Sequence, residues 1–320
     1  MNNIEISIII PVYNSGKNLK NLISELILIL QKDYQYFEII LVDDDSKDES
    51  WEVINNFCLQ NIFIKGVLLR KNVGQHNAIF AGMKYADGNF VVTMDDDGQN
   101  SPDDIKLLVD SVKSGYDVSY ANYKIKRHNI FRRFGSLVNN IVACFLFDKP
   151  LNLFMTSFRC FSNDIKKELL KNKSSSLYLD GLIFSVTKNI SNVFVEHRKR
   201  EFGSSNYTFY KLFSLWSQMA TGFSILPLRI SSLLGFFFSI SSFFVTIWFI
   251  FFRSVSSNIP VGWTSLIVVI IFFGGVQLLA LGLIGEYIGR TYLTVNNTLQ
   301  YSEKKKINAV NNKDEISKFN

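Results

Sequence analysis

The chain has 320 residues, 48% hydrophobic and 19% charged, with a net charge of +6. That length has room for about two domains. The charge is modest and no base-reading or stacking motif accompanies it, which argues against a nucleic-acid binder. Three cysteines, Cys58, Cys144 and Cys160, lack metal-binding spacing and lie in apolar surroundings, as expected of reduced, buried thiols in a cytosolic compartment.

Residues 6–10 read as a buried strand, followed by the loop Pro11, Val12, Tyr13, Asn14 and an amphipathic helix over 18–30. A second strand, 38–42, runs into Asp43, Asp44, Asp45 and Ser46, and Ser46 with Glu49 has the form of a capping box for the next helix. A third strand is expected over 62–69, then a helix over 75–86 stopped by Asp87 and Gly88. The fourth strand, 90–94, ends in Asp95, Asp96, Asp97, Gly98 and Gln99, and Ser101-Pro102 opens another helix. This alternation predicts an α/β fold with a parallel sheet and crossover helices. The acidic runs and the Pro11 loop then gather on the carboxyl rim, where open α/β sheets bind ligands.

Three adjacent carboxylates repel one another unless a cation lies among them. Asp95 and Asp97, at alternate positions of an extended segment, point to one side and can share a hard divalent cation, Mg²⁺ or Mn²⁺. No G-x-G-x-x-G follows the first strand and no Walker A sequence is present, which disfavours a Rossmann dehydrogenase or a P-loop NTPase.

Two stretches free of charge, 230–252 and 263–285, are each long enough to cross a bilayer. The polar connection between them predicts a two-helix transmembrane hairpin over 230–290. Lys199, Arg200, Lys211 and Arg229 precede it, and Arg290 and Lys304 to Lys306 follow, against Arg253 alone in the turn. The positive-inside rule puts both flanks in the cytoplasm. No secretory leader is expected, because residues 1–5 are polar and lack a basic run. The expected organisation is a domain over 1–205, an interfacial amphipathic segment over 206–229, the hairpin, and a disordered cytoplasmic tail over 291–320.

The motifs Ile8-Ile-Ile-Pro11-Val-Tyr13-Asn14, Leu41-Val-Asp43-Asp44-Asp45-Ser46, Asn72-x-Gly74 and Met94-Asp-Asp-Asp-Gly-Gln99 with Pro102 resemble the GT-A domain of family 2 glycosyltransferases. Within that family they are most similar to the polyprenyl-phosphate group, which includes dolichol-phosphate mannosyltransferases and bactoprenol glucosyltransferases. The resemblance covers roughly the first 210 residues, and the hairpin matches the bacterial members' anchor. It implies that Pro11, Tyr13, Asn14, Asp43 and Asp44 hold the donor nucleotide. Asp95 and Asp97 would hold the metal on the diphosphate, with Gln99 orienting a ligand, and Asp96 would face the other way. Arg132-x-x-x-Ser136 would grip the acceptor phosphate at the membrane surface; read without the resemblance, it equally fits a core helix with a basic first turn. Arg200-x-x-Gly203-x-Ser205 resembles the family's R-x-x-G-x-S motif, a second phosphate grip. Asp45 stands where many relatives have Gly, and Gly98 where D-x-D-L-Q would have Leu.

The expected activity is an inverting transferase moving a hexose from a UDP- or GDP-sugar to polyprenyl (undecaprenyl) phosphate on the cytoplasmic face of the inner membrane. Homo-oligomerisation is left open. A processive polysaccharide synthase should carry Q-x-x-R-W and more spanning helices, and this sequence has neither. A non-catalytic sugar-binding subunit would not need Asp95, Asp97, Arg200 and Ser205 intact.

Overall fold

The computed structural model describes residues 4–123, 153–172, 178–195, 262–296 and 299–309, with helical positions 228, 231–238, 240, 241, 244 and 247. It divides into two units, Met1–Tyr207 with Asn297–Asn320, and Thr208–Asn296.

The first unit is built on strands β1 Ile6–Val12, β2 Phe37–Asp43, β3 Ile64–Leu69, β4 Phe90–Thr93, β5 Val118–Tyr123, β6 Arg159–Ser162, β7 Ile190–Val195 and β8 Glu303–Ile307. They form one sheet in the order β7-β5-β6-β4-β1-β2-β3-β8. All seven residues of β1 are buried, as its run of isoleucines requires of a central strand covered on both faces. Ile6, Ile8 and Ile10 face a core shared with Leu19, Leu22, Ile23 and Leu26 of helix α1 (Gly16–Asp33) and with Leu108 and Val109 of α4 (Ile105–Lys113). Ile9 faces the opposite core, with Ile79 and Met83 of α3 (Gln75–Met83). Each such side chain contributes roughly 1.5–3 kcal/mol on burial. Helix α3 lies close on the sheet because residue 82 is glycine: a Cβ there would stand 2.7 Å from Ile9 Cγ2 and 3.0 Å from Val42 Cγ2.

The sheet is mixed rather than wholly parallel. β1 is parallel to β2 and β4, and β2 to β3, as the alternation predicts. β6 is antiparallel to both β4 and β5, so its insertion between them reverses the direction.

Helix α2 (Ser50–Gln60) starts later than expected, and Ser46 does not cap it. Ser46 Oγ instead accepts from Asn14 N at 3.0 Å, while Asp48 takes the N–H and hydroxyl of Ser50 at 3.1 and 2.5 Å. The capping-box spacing is present, but residues 43–48 are committed to the rim.

The tail is not disordered throughout. Glu303–Ile307 forms β8, antiparallel to β3 at the sheet edge. Tyr301 and Ala309 are buried, and Asn308, with φ 56°, donates from Nδ2 to the carbonyls of Cys58, Asn61 and Ile64. The lysine run is compatible with a strand because an edge strand has one solvated side.

In the second unit, α7 (Trp263–Val295) is a 33-residue helix, longer than the 263–285 expected. Its stretch Phe272–Val295 is long and apolar enough to cross a membrane. Residues 231–238 are helical, with Leu233, Leu234, Phe236 and Phe237 exposed. The Phe238 ring meets those of Phe272 and Phe273 edge-on, with centroids 5.7 and 6.1 Å apart. Of the rest of the expected span over 230–252 only 240, 241, 244 and 247 are described, all helical, and of the interfacial segment only 228.

Candidate active site

β1 lies where the strand order reverses, with β4 on one side and β2 on the other, and this is the position at which open sheets form a crevice. Val12 pairs with Asp43, Asp44 N donates to Val12 O at 2.9 Å, and Met94 N donates to Ile9 O at 3.2 Å. The carboxyl ends of β1, β2 and β4 therefore deliver Pro11 to Asn14, Asp43 to Asp45 and Asp95 to Asp97 to one rim.

Asn14 binds the neighbouring loop through Ser46 and accepts Lys47 N on Oδ1 at 2.7 Å. Its φ of 54° is left-handed, a conformation asparagine tolerates better than most residues. Tyr13 remains 49% exposed, leaving its ring open to a ligand. Asp43 Oδ1 accepts from Ser46 N at 2.7 Å while Oδ2 is buried with no partner among the described residues, and burial pushes its pKa up. Asp44 accepts Val73 N and Gly74 N, both at 2.8 Å, one on each carboxylate oxygen, and burial pushes it up too. Its first task is thus to fix the loop before α3; each oxygen keeps a further lone pair.

The departure at residue 45 has a backbone cause. Asp45 has φ 61°, the region glycine enters without strain and aspartate enters with the help of local polar contacts. Lys47 Nζ stands 2.6 Å from its carboxylate. Gly98, with φ 73°, holds the turn after the acidic run in a conformation that would strain a leucine.

The three consecutive carboxylates diverge. Asp96 Oδ2 accepts from Tyr13 N at 3.1 Å and Ser15 Oγ at 2.5 Å, tying the β4 loop to the β1 loop. Burial pushes its pKa up to about 6. Asp95 accepts from Gln75 Nε2 at 2.5 Å and from Ser157 Oγ, and its pKa is raised by burial, with the charge of Asp97 adding to the effect. Asp97 Oδ1 accepts from Gln99 N at 3.1 Å. Asp95 and Asp97 are therefore within electrostatic reach of one another, and the hydrogen bonds to Asp95 and Asp96 come from neutral donors.

Among the described residues no three His, Cys, Asp or Glu side chains form a ready-made metal cage. The donor set is a pair of aspartates. That fits Mg²⁺ or Mn²⁺ completed by water and diphosphate oxygens, because Mg²⁺ is usually bound through one or two carboxylates plus substrate phosphates.

No motif points to a second, buried cluster. Arg159 on β6 pairs with Asp180 on α6 (Leu179–Val186), and Tyr120 OH donates to the same carboxylate oxygen at 2.8 Å. His76 packs on Tyr178, ring centroids 5.0 Å apart, and burial pushes its pKa down to about 4. Arg159 pairs with Thr93, two residues before Asp95, and its charge favours ionised Asp95. The sequence signal was an arginine and an aspartate each alone in apolar stretches.

Arg132, Ser136, Arg200 and Ser205 lie outside the described residues. Cys58 and Cys160 are free and buried, and burial pushes the Cys58 thiol up to about 12.

Residues 7–168, which include the whole acidic rim, match the model of glycosyl transferase family 2. The chain belongs to glycosyl transferase family 2. It is similar over nearly its whole length to undecaprenyl-phosphate 4-deoxy-4-formamido-L-arabinose transferases. That of Photorhabdus laumondii is 31% identical, covering 93% of this chain and 92% of its own. That of Pectobacterium atrosepticum is 33% identical, covering 95% and 94%. Among solved structures, glucosyl-3-phosphoglycerate synthase from Mycobacterium tuberculosis, crystallised with Mn²⁺, UDP and glucosyl-3-phosphoglycerate, superposes with a TM-score of 0.51. At 17% identity, over 68% of this chain and 77% of that one, this likeness establishes the GT-A-like fold.

Proposed function

We propose that this family 2 glycosyltransferase moves a sugar from a nucleoside diphosphate to the phosphate of a membrane-resident polyprenol. The observation that carries the reading is the reach of the similarity: the transferases named for undecaprenyl phosphate match over 93–95% of the chain, whereas the family model ends at residue 168. The similarity therefore extends well past the family domain, through α7.

On the donor side, the exposed Tyr13 ring and the Pro11–Asn14 backbone flank the base, and Asp43 and Asp44 offer carboxylate acceptors to base N–H or ribose hydroxyls. Asp95 and Asp97 would hold Mg²⁺ or Mn²⁺, which would offset charge on the departing nucleoside diphosphate. Asp96 keeps the β1 and β4 loops in register, and Gln99 orients the ligand next to Asp97. Arg132 with Ser136 and Arg200 with Ser205 bind the acceptor phosphate, a guanidinium matching phosphate oxygens in pairs. That phosphate monoester, with a second pKa near 6, is already largely dianionic at neutral pH and attacks without a dedicated base. In-line attack on the anomeric carbon inverts it.

The donor sugar is a hexose in the reading from motifs, and the named relatives add a five-carbon sugar to the range. The membrane part is a two-helix hairpin with the catalytic domain on the cytoplasmic face. Its support is connectivity: β8 follows α7 in the chain yet pairs with β3, which precedes it. A hairpin, with its even number of crossings, accords with that pairing, and the Phe238 contacts with α7 support a partner helix.

The test is a screen of nucleotide sugars, UDP- and GDP-linked hexoses and UDP-arabinose derivatives, with purified protein, Mg²⁺ or Mn²⁺ and undecaprenyl phosphate. Mass spectrometry should find a glycosyl-phosphoryl lipid for one donor. Donor hydrolysis with no lipid product across the screen would refute the acceptor assignment.

A further inference from the structure

The C-terminal strand grips the two elements that frame the donor site. β8 brings Glu303 beside Leu69 at the carboxyl end of β3, and Ser302 O accepts Arg70 N at 2.8 Å. On the other side it holds the end of α3 and the turn after it. Tyr301 is buried in the core that contains Ile79, Phe80 and Leu69, Lys84 Nζ lies 4.6 Å from its ring centroid, and Tyr85 OH donates to Glu303 Oε2 at 2.6 Å. Between β3 and α3 runs the loop 70–74, with Arg70, Lys71, Asn72 and Gly74 exposed. This loop and the first residue of α3 make the hydrogen bonds that fix two rim carboxylates: Val73 N and Gly74 N to Asp44, and Gln75 Nε2 to Asp95. The segment 301–303 braces the β3 end of this loop directly, through Ser302 O and Arg70 N, and reaches the sheet side of α3 through Lys84 and Tyr85 beyond its last turn.

We propose that residues 299–309 are a positioning element of the donor site, acting through the loop 70–75 on Asp44 and Asp95. The inference rests on the reading of those two aspartates as donor-site groups. A strand that merely finished the sheet edge would add stability without changing ligand affinity, and this is the difference to measure.

The experiment uses the full-length protein in detergent, with UDP and GDP in the presence of Mn²⁺ as probes and calorimetric affinity and thermal midpoint as readouts. Tyr301→Ala should weaken binding of the preferred nucleotide roughly ten-fold at a temperature well below its midpoint, the scale on which supporting groups tune a metal site. Tyr301→Phe removes only a buried hydroxyl that has no partner among the described residues and should bind as wild type. Glu303→Gln keeps the strand while weakening the Tyr85 bond, and should lower affinity by a smaller factor. Combining Tyr301→Ala with Gln75→Ala should cost little more than the larger single loss, because both act through one loop. Wild-type affinity in Tyr301→Ala and Glu303→Gln, with only the midpoint lowered, would overturn the proposal, as would losses that multiply. Asp44→Ala and Asp95→Ala serve as a separate control: unchanged binding in both would remove the donor-site reading itself, whatever the strand variants do.

Discussion

Asp95, Asp96 and Asp97 are consecutive, yet their surroundings assign them different work. Asp96 is turned back to Tyr13 and Ser15, whereas Asp95 and Asp97 share one electrostatic neighbourhood. Asp97→Ala should therefore abolish transfer while the thermal midpoint stays close to wild type, since Asp97 lies on the rim outside the core. Excess EDTA should have the same effect, and full turnover in EDTA would refute the metal role. His76 makes a prediction of the opposite kind. Its folded pKa is about 4 against 6.5 for the free side chain, so between those values the unfolded chain binds the extra proton. Its contribution to stability is present above pH 6.5 and is lost as pH falls toward 4, by roughly 3 kcal/mol at most, less in proportion to its partial exposure. Midpoints measured at pH 5 and pH 7.5 should differ less in His76→Gln than in wild type; an equal difference would contradict this.

At the level of elements, what could be read in the sequence was what local pattern encodes. β1 to β4, α1 and α3 were legible because isoleucine and valine runs, helical periodicity and Gly or Pro stops are all short-range. The acidic rim was legible for the same reason, because each motif ends its own strand. β8 was not, since a five-residue strand with three lysines is defined by its pairing with β3, more than 230 residues earlier. Nor were Gln75, Ser157 and the Arg159–Asp180 pair, whose partners are 20 or more residues distant. Ser46 shows the converse, a local motif overridden by a contact with Asn14. Two substitutions test the packing. Gly82→Ala should cost about 1–3 kcal/mol in stability, because the added methyl meets Ile9 and Val42 at the α3 contact with the sheet. Arg159→Met should cost about 3–5 kcal/mol by leaving Asp180 buried without its cation. Adding Asp180→Leu should restore part of that loss, as denaturation midpoints of the single and double variants would reveal.

The catalytic unit is discontinuous in sequence: the described residues up to 195 make most of it, and 299–309 return to it after α7. This changes what a soluble version must contain. A chain ending at 207 exposes the β3 edge with its unpaired backbone groups and empties the places of Tyr301, Ile307 and Ala309 in the core. It should melt lower than full-length protein and tend to aggregate. Rejoining 299–310 through a flexible Gly/Ser linker of about 20 residues should restore the midpoint and nucleotide binding, because the strand regains its partner at high effective concentration. Both soluble forms should transfer sugar poorly to polyprenyl phosphate in vesicles, since the acceptor is confined to a bilayer from which the domain has been released. Calorimetry with UDP and GDP, together with transfer into vesicles, separates the two claims. Equal stability of the 1–207 chain and its rejoined form would show β8 to be dispensable for the fold, and full transfer by the rejoined form would remove any need for the segment that carries α7.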